Sequence, residues 1–273
     1  MKKVAIWILG IIITLTAAIY QRKTGPTYPK DIEIKLNNKT HEITLPRSHG
    51  GQDDCKVILD IPTNTAGKIF FRRYPTNESW KSKPLKKENN KLVGYLPTQP
   101  PAGKLQYYIE LFHNQQIIQI AKNEPIKIRF KGGVPNGILI PHVIVMFLAM
   151  LLSTVAGLYA LRRMKNYKIL GYITISLLIV GGFIFGPIMQ YHAFGDAWTG
   201  IPFGWDLTDN KTLIAFIGWL TAVLANIKAD RPKYYVIAAV LLLLIYSIPH
   251  SMMGSEYDYE KGEVVTGFIL SLM

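Results

Sequence analysis

Three of the six histidines, His142, His192 and His250, fall at the margins of long apolar stretches. Imidazole is the commonest transition-metal ligand, and a thioether adds a soft donor that favours Cu(I). Met146 lies four residues after His142 and Met189 three before His192, so on a helix each pair shares one face. Met252 and Met253 follow His250, while Asp196, Asp206, Asp209, Glu256 and Asp258 occupy the adjoining polar stretches. Such carboxylates orient imidazoles or ligate a harder metal. The chemistry open to this set is binding of copper or zinc, or of a b-type haem held by two histidines. The competing reading is structural: histidine is tolerated at a membrane interface and methionine fills bundle cores.

Helices must position these residues. Lys2 and Lys3 precede an uncharged run from Val4 to Tyr20, which reads as a signal anchor or as a cleavable signal ending after Thr16-Ala17-Ala18. After a Gly/Pro hinge at 132–137, four apolar stretches follow at about 138–161, 169–190, 212–227 and 234–249. A helix needs roughly 20 residues to cross the hydrocarbon core, so the first two are long enough and the last two short. The piece from Val264 to Met273 is too short to span and is expected to dip in or lie along the surface. Ser153-x-x-x-Gly157, Gly182-x-x-x-Gly186 and Gly218-x-x-x-Ala222 are spacings that let helix backbones approach closely.

Basic residues in short loops set orientation. Arg162, Arg163, Lys165 and Lys168 mark one loop as cytoplasmic, as do Lys228, Arg231 and Lys233. The opposite loops hold seven carboxylates against Lys211 and Lys261 and belong outside, together with the three histidines. Within the outer loop 200–211, Asp209 or Asn210 is expected to cap a helix beginning near Lys211, with Thr208 an alternative. Trp198, Phe203 and Trp205 suit an interfacial aromatic belt.

Residues 24–131 have the composition of a water-exposed domain. Residues 21–131 carry 20 Lys and Arg against 10 Asp and Glu, about +10 of the chain's +13. Beside a membrane, so basic a domain meets anionic lipid, polysaccharide or acidic protein rather than nucleic acid. Cys55 is the single cysteine, which excludes an internal disulfide and any Cys-x-x-Cys redox pair. Alternating runs at Ile32–Leu36, Glu42–Leu45, Lys56–Ile61, Gly67–Tyr74, Leu92–Leu96, Leu105–Phe112, Gln116–Ala121 and Ile126–Phe130 predict about eight strands. Pro46–Asp54 reads as a polar turn, and Arg72, Arg73, Lys81, Lys83, Lys86 and Lys87 surround Trp80 as a basic stretch.

Lys68-Ile69-Phe70-Phe71-Arg72-Arg73-Tyr74, then Trp80, then Pro100-Pro101-Ala102-Gly103 leading into Lys104-Leu105-Gln106-Tyr107-Tyr108-Ile109, resembles the bacterial immunoglobulin-like or fibronectin type III-like sandwich. The resemblance covers residues 30–131 and implies a binding or spacing module without catalysis of its own. The antibody branch is excluded, because Cys55 has no partner for its disulfide. The membrane half is similar to bacterial integral membrane proteins from which no function carries over.

The expected architecture is a multi-domain membrane protein: an N-terminal anchor or signal segment at 1–23, an exported Ig-like β-sandwich at 24–131, the hinge, and a transmembrane bundle of about four helices at 138–273. The expected location is the bacterial inner membrane, with residues 24–131 on the periplasmic side. The leading functional reading is a non-catalytic anchor or subunit of a membrane complex, whose partners are the lipid bilayer and other envelope proteins. A metal- or haem-binding redox protein is the alternative and a small channel or transporter the third. No charged residue falls in the middle of a predicted span, which counts against a coupled transporter. No Gly-x-Ser-x-Gly, His-Glu-x-x-His or phosphate-binding glycine loop supports a hydrolase.

Overall fold

A computed structural model describes residues 3–37, 39–62, 64–250 and 254–265. The chain forms two compact units: one of residues up to Pro26 with Val134–Ser255, the other of Thr27–Gly133 with Glu256–Val265. Helices are therefore not confined to the C-terminal half.

The helical unit contains α1 (Lys3–Thr24), α2 (Asn136–Leu161), α3 (Tyr167–Leu178), a π-helical segment Ile179–Phe185, α4 (Gly186–Phe194), α5 (Leu207–Ala225) and α6 (Lys233–Ser247). Lys3–Thr24, Asn136–Leu161 and the continuous Tyr167–Phe194 are long and apolar enough to cross a membrane, and α6 is a shorter apolar helix. The N-terminal helix packs on α2 and α6, with Ile6 wholly enclosed in the common core. Gly10 is needed there, because a side chain on it would meet Val155 at 2.7 Å.

Small residues at the helix seams are a geometric requirement of this packing. A Cβ on Gly157 of α2 would lie 2.5 Å from that of Ala239 in α6, and one on Gly182 would lie 2.5 Å from the Thr212 methyl of α5. Ser153 faces inward and accepts the indole N–H of fully buried Trp219 at 3.2 Å. Trp219 then meets Tyr235 edge to face, so aromatic rings fill the centre of the unit.

The other unit is all-β. Its strands are β1 (Lys30–Leu36), β2 (Lys39–Leu45), β3 (Ser48–Gly50), β4 (Cys55–Leu59), β5 (Ala66–Tyr74), β6 (Lys81–Pro84), β7 (Lys86–Glu88), β8 (Lys91–Leu96), β9 (Lys104–His113), β10 (Gln116–Ile120) and β11 (Ile126–Lys131), with a hairpin of β12 (Glu256–Asp258) and β13 (Glu263–Val265). A six-stranded sheet runs β3-β11-β9-β5-β6 with β10 also on β9, beside a three-stranded sheet β4-β8-β7 and the ribbons β1-β2 and β12-β13. One core joins the larger sheets and β1-β2. The alternation read from sequence is what builds it: β4 buries Cys55, Val57 and Leu59 and exposes Lys56 and Ile58.

All eight predicted strands are present, and five more are added, three of them within residues 24–131. β3 lies inside the segment expected to be a turn, and β6 and β7 lie in the basic stretch. The Pro-Ala-Gly turn is seated by Ala102 N–H donating to the Phe130 carbonyl at 3.0 Å and Phe130 N–H to the Gly103 carbonyl at 2.8 Å. Glycine is required at 103, since a Cβ would fall 2.8 Å from the Pro100 carbonyl oxygen. Val264 and Val265 belong to β13; the rest of the piece expected to lie at the membrane surface, and Met252 and Met253, fall outside the described residues.

Candidate functional site

A group of buried polar residues, Thr199, Asp206, Asp209, Lys211, Thr212 and Ser255, lies at and around the start of α5, where Lys211 meets the end of α6. The N-cap of α5 is Asp206, not Asp209, Asn210 or Thr208, and the helix starts at Leu207, four residues before its expected beginning. Asp206 Oδ1 accepts from Thr208 N–H at 2.8 Å and Asp209 N–H at 3.4 Å, and Oδ2 accepts from Ser255 N–H at 3.2 Å. Starting the helix earlier turns Asp209 inward. Its Oδ2 accepts from Thr199 N–H at 2.6 Å, Gln190 Nε2 at 3.0 Å and Thr199 Oγ1 at 3.3 Å. The loop before α5 is thus held by carboxylates whose charge is dispersed into N–H donors at a helix N-terminus.

Lys211 is 2% exposed. Its ammonium donates to the Ile248 carbonyl at 2.6 Å, the same oxygen that accepts from Gln21 of α1 at 3.3 Å. No carboxylate lies within ion-pair distance of it among the described residues. Asp206 acts on it only as a more distant charge.

His142, in the first turns of α2, meets the Gly181 carbonyl through Nδ1 at 3.0 Å. A carbonyl only accepts, so Nδ1 carries the proton and Nε2 presents a lone pair. Gly181 belongs to the π-helical segment, a geometry that recurs at functional sites. Met146 reaches the same glycine: its sulfur lies 2.5 Å from where a Gly181 Cβ would stand. His250, just beyond α6, is within electrostatic reach of both Lys211 and His142.

The structure therefore gathers His142, Met146, His250, Asp206 and Asp209 in this region. It leaves out His192, which is exposed and edge-on to Tyr191, and the exposed Asp196. Met189 is half-buried in α4. Glu256 and Asp258 belong to the sheet unit: Glu256 pairs with Lys104, and Asp258 accepts from Glu260 N–H at 2.9 Å and Lys261 N–H at 3.1 Å. Those two turn bonds hold the Asp258 carboxyl below its ordinary range.

Among the described residues no group of three or more His, Cys, Asp or Glu side chains is placed to hold a metal ion. The buried Lys211 ammonium, which acts electrostatically on His250, also works against a further cation there. Lys211, Gln190, Thr199 and Gln21 were not anticipated. Lys211 had a readable signal: with Ala215, Trp219 and Ala222 it falls on one stripe at spacings of four, four and three, the buried face of α5.

No family model matches the chain, and no curated protein or solved structure shows significant similarity to it.

Proposed function

We propose that the chain is an integral membrane protein of the bacterial envelope, whose sheet unit is an exported immunoglobulin-like binding or spacing module and whose helices anchor it and join it to other membrane subunits. The observation that carries this reading is the inversion between the two surfaces. The helical unit turns Ile8, Ile12, Ile140, Ile144, Ile173 and Leu244 outward, as lipid-facing helices do. The sheet unit turns lysines outward: Lys35, Lys56, Lys68, Lys81, Lys86 and Lys87 are all exposed. Larger sheets sharing one core support the sandwich, and the positive-inside rule applied to Arg162, Arg163, Lys228 and Arg231 supports export of the module.

Alkaline extraction of membranes followed by protease digestion of intact spheroplasts tests this. The protein is expected to stay in the pellet and to lose the sheet unit to protease, while the loop around Arg163 resists until the membrane is opened. Release by alkali, or cleavage at that loop first, removes the proposal. Affinity purification in mild detergent is expected to bring down further membrane subunits.

A further inference from the structure

We infer that Lys211 and His250 form a binding site for an oxyanion of phosphate type at the junction of α1, α5 and α6. An ammonium has three N–H donors. In Lys211 one reaches the Ile248 carbonyl, and no other acceptor or ion-pair partner meets it among the described residues. Two donors and a full charge are left in an enclosed place, an arrangement that costs free energy until an acceptor with negative charge joins it.

The nearby carboxylates do not fill that role. Asp209 is bound up by Thr199 and Gln190, and Asp206 by the first turn of α5 and Ser255. The Ile248 carbonyl that Lys211 meets lies two residues before His250, whose imidazole interacts electrostatically with the ammonium. The same charge that disfavours a metal ion favours an oxyanion. Beside lipid-facing helices that chemistry has two sources: the phosphate of an anionic lipid headgroup, or free phosphate. The site does not depend on what the sheet unit binds.

The test uses the full chain in nanodiscs, with tryptophan fluorescence following thermal unfolding. One arm titrates inorganic phosphate into phosphatidylcholine discs; the other replaces part of the phosphatidylcholine by phosphatidylglycerol in phosphate-free buffer. A saturable rise in Tm is expected in one arm, and the arm that responds identifies the source. Lys211→Met is expected to lose the response, Lys211→Arg to keep it, and His250→Ala to weaken binding about tenfold. Should Lys211→Met not fold, Lys211→Arg and His250→Ala still read the same quantity. The inference is overturned if neither arm responds, if Lys211→Met or His250→Ala responds like the parent, or if zinc or copper stabilises the protein and phosphate does not.

Discussion

Leu59 in β4 and Lys211 in α5 are almost equally enclosed, yet they are enclosed for opposite reasons. Leu59 belongs to a cluster of twenty buried apolar side chains, under a surface rich in lysine. Lys211 belongs to a unit that exposes many large apolar side chains and encloses polar groups at both ends of α5, Asp206, Asp209 and Lys211 at its start and Asn226 at its close. In water the hydrophobic effect sorts residues by face, and the sheet unit follows it strand by strand. Against lipid that force does not separate inside from outside, so packing and buried polar contacts decide instead. Small residues at seams and hydrogen-bonded carboxylates therefore do in one unit what Leu, Ile and Val do in the other.

The sharpest way to break this contrast uses the single cysteine as a reporter. Cys55 is buried in β4, and burial, with Asp54 adding to it, pushes its thiol up to about 11. Labelling by a thiol reagent at pH 8 therefore requires the sheet unit to open. Leu59→Ala should cost about 2–5 kcal/mol, and so accelerate labelling at least about thirtyfold where reclosing outruns the reagent. Leu242→Ala, an equal truncation in α6, should leave the labelling rate unchanged. Acceleration by Leu242→Ala would mean that the two units do not open separately.

A smaller effect is expected from Asp209→Asn. The substitution keeps the shape and removes the charge that strengthens the bonds from Thr199 and Gln190, at a cost of about 1.5–3 kcal/mol. Unfolding in nanodiscs followed by tryptophan fluorescence checks it, with Cys55 labelling unchanged. A neutral outcome would show that the loop before α5 is held by packing alone, as in the sheet unit.

The cysteine also titrates. Its folded pKa is raised above the ordinary thiol value of 9.0, so the folded state holds the proton more tightly than the unfolded chain. The stability this contributes is present below pH 9 and is lost as pH rises from 9 towards 11, since only the unfolded chain then gives up the proton. The expected loss is about 2 kcal/mol over that window. Cys55→Ala should flatten this part of the stability profile; an equally steep fall in the variant would assign it to other groups.

How much of this was legible follows the same division. Strand alternation is written in adjacent residues, so all eight predicted strands are found. β3, β6 and β7 are short and polar, and pairing alone makes them strands: β6 exists because Lys81–Pro84 aligns with Phe71–Lys68 of β5. Lysine suits such an edge, because it discourages further pairing. The helical stretches were legible from hydropathy, but their polar end was not. Asp209, Asn210 and Thr208 all have cap chemistry near the expected start of α5, which masks Asp206, and Lys211 reads as a loop charge unless the stripe through Ala215 and Trp219 is followed back to it. His142, Met146 and His250 were named from residue type alone. Which of the six histidines share a region depends on contacts between helices that spacing within one helix does not encode.

The least legible element is the hairpin β12-β13, whose carboxylates were assigned to the outer loops of the helices. It belongs to the sheet unit, and Tyr259 in its turn shows why. The Tyr259 hydroxyl accepts from Lys104 N–H at 3.0 Å and lies 2.9 Å from the Lys104 carbonyl and 3.0 Å from Gln99 Oε1, either of which takes its proton. Burial pushes that hydroxyl up to about 12. Arg73 stacks on the ring at 5.0 Å, and Lys104 pairs with Glu256. Tyr259→Phe removes only the hydroxyl: the ring still receives the guanidinium, and the ion pair is untouched. The expected cost is about 1 kcal/mol, since Lys104 is only part-buried and water can replace the lost acceptor. Cys55 labelling should then rise about fivefold, the smallest of these effects. A rise as large as that of Leu59→Ala would make the hairpin part of the core of the sheet unit; no rise at all would make it an appendage whose docking does not stabilise the sheets.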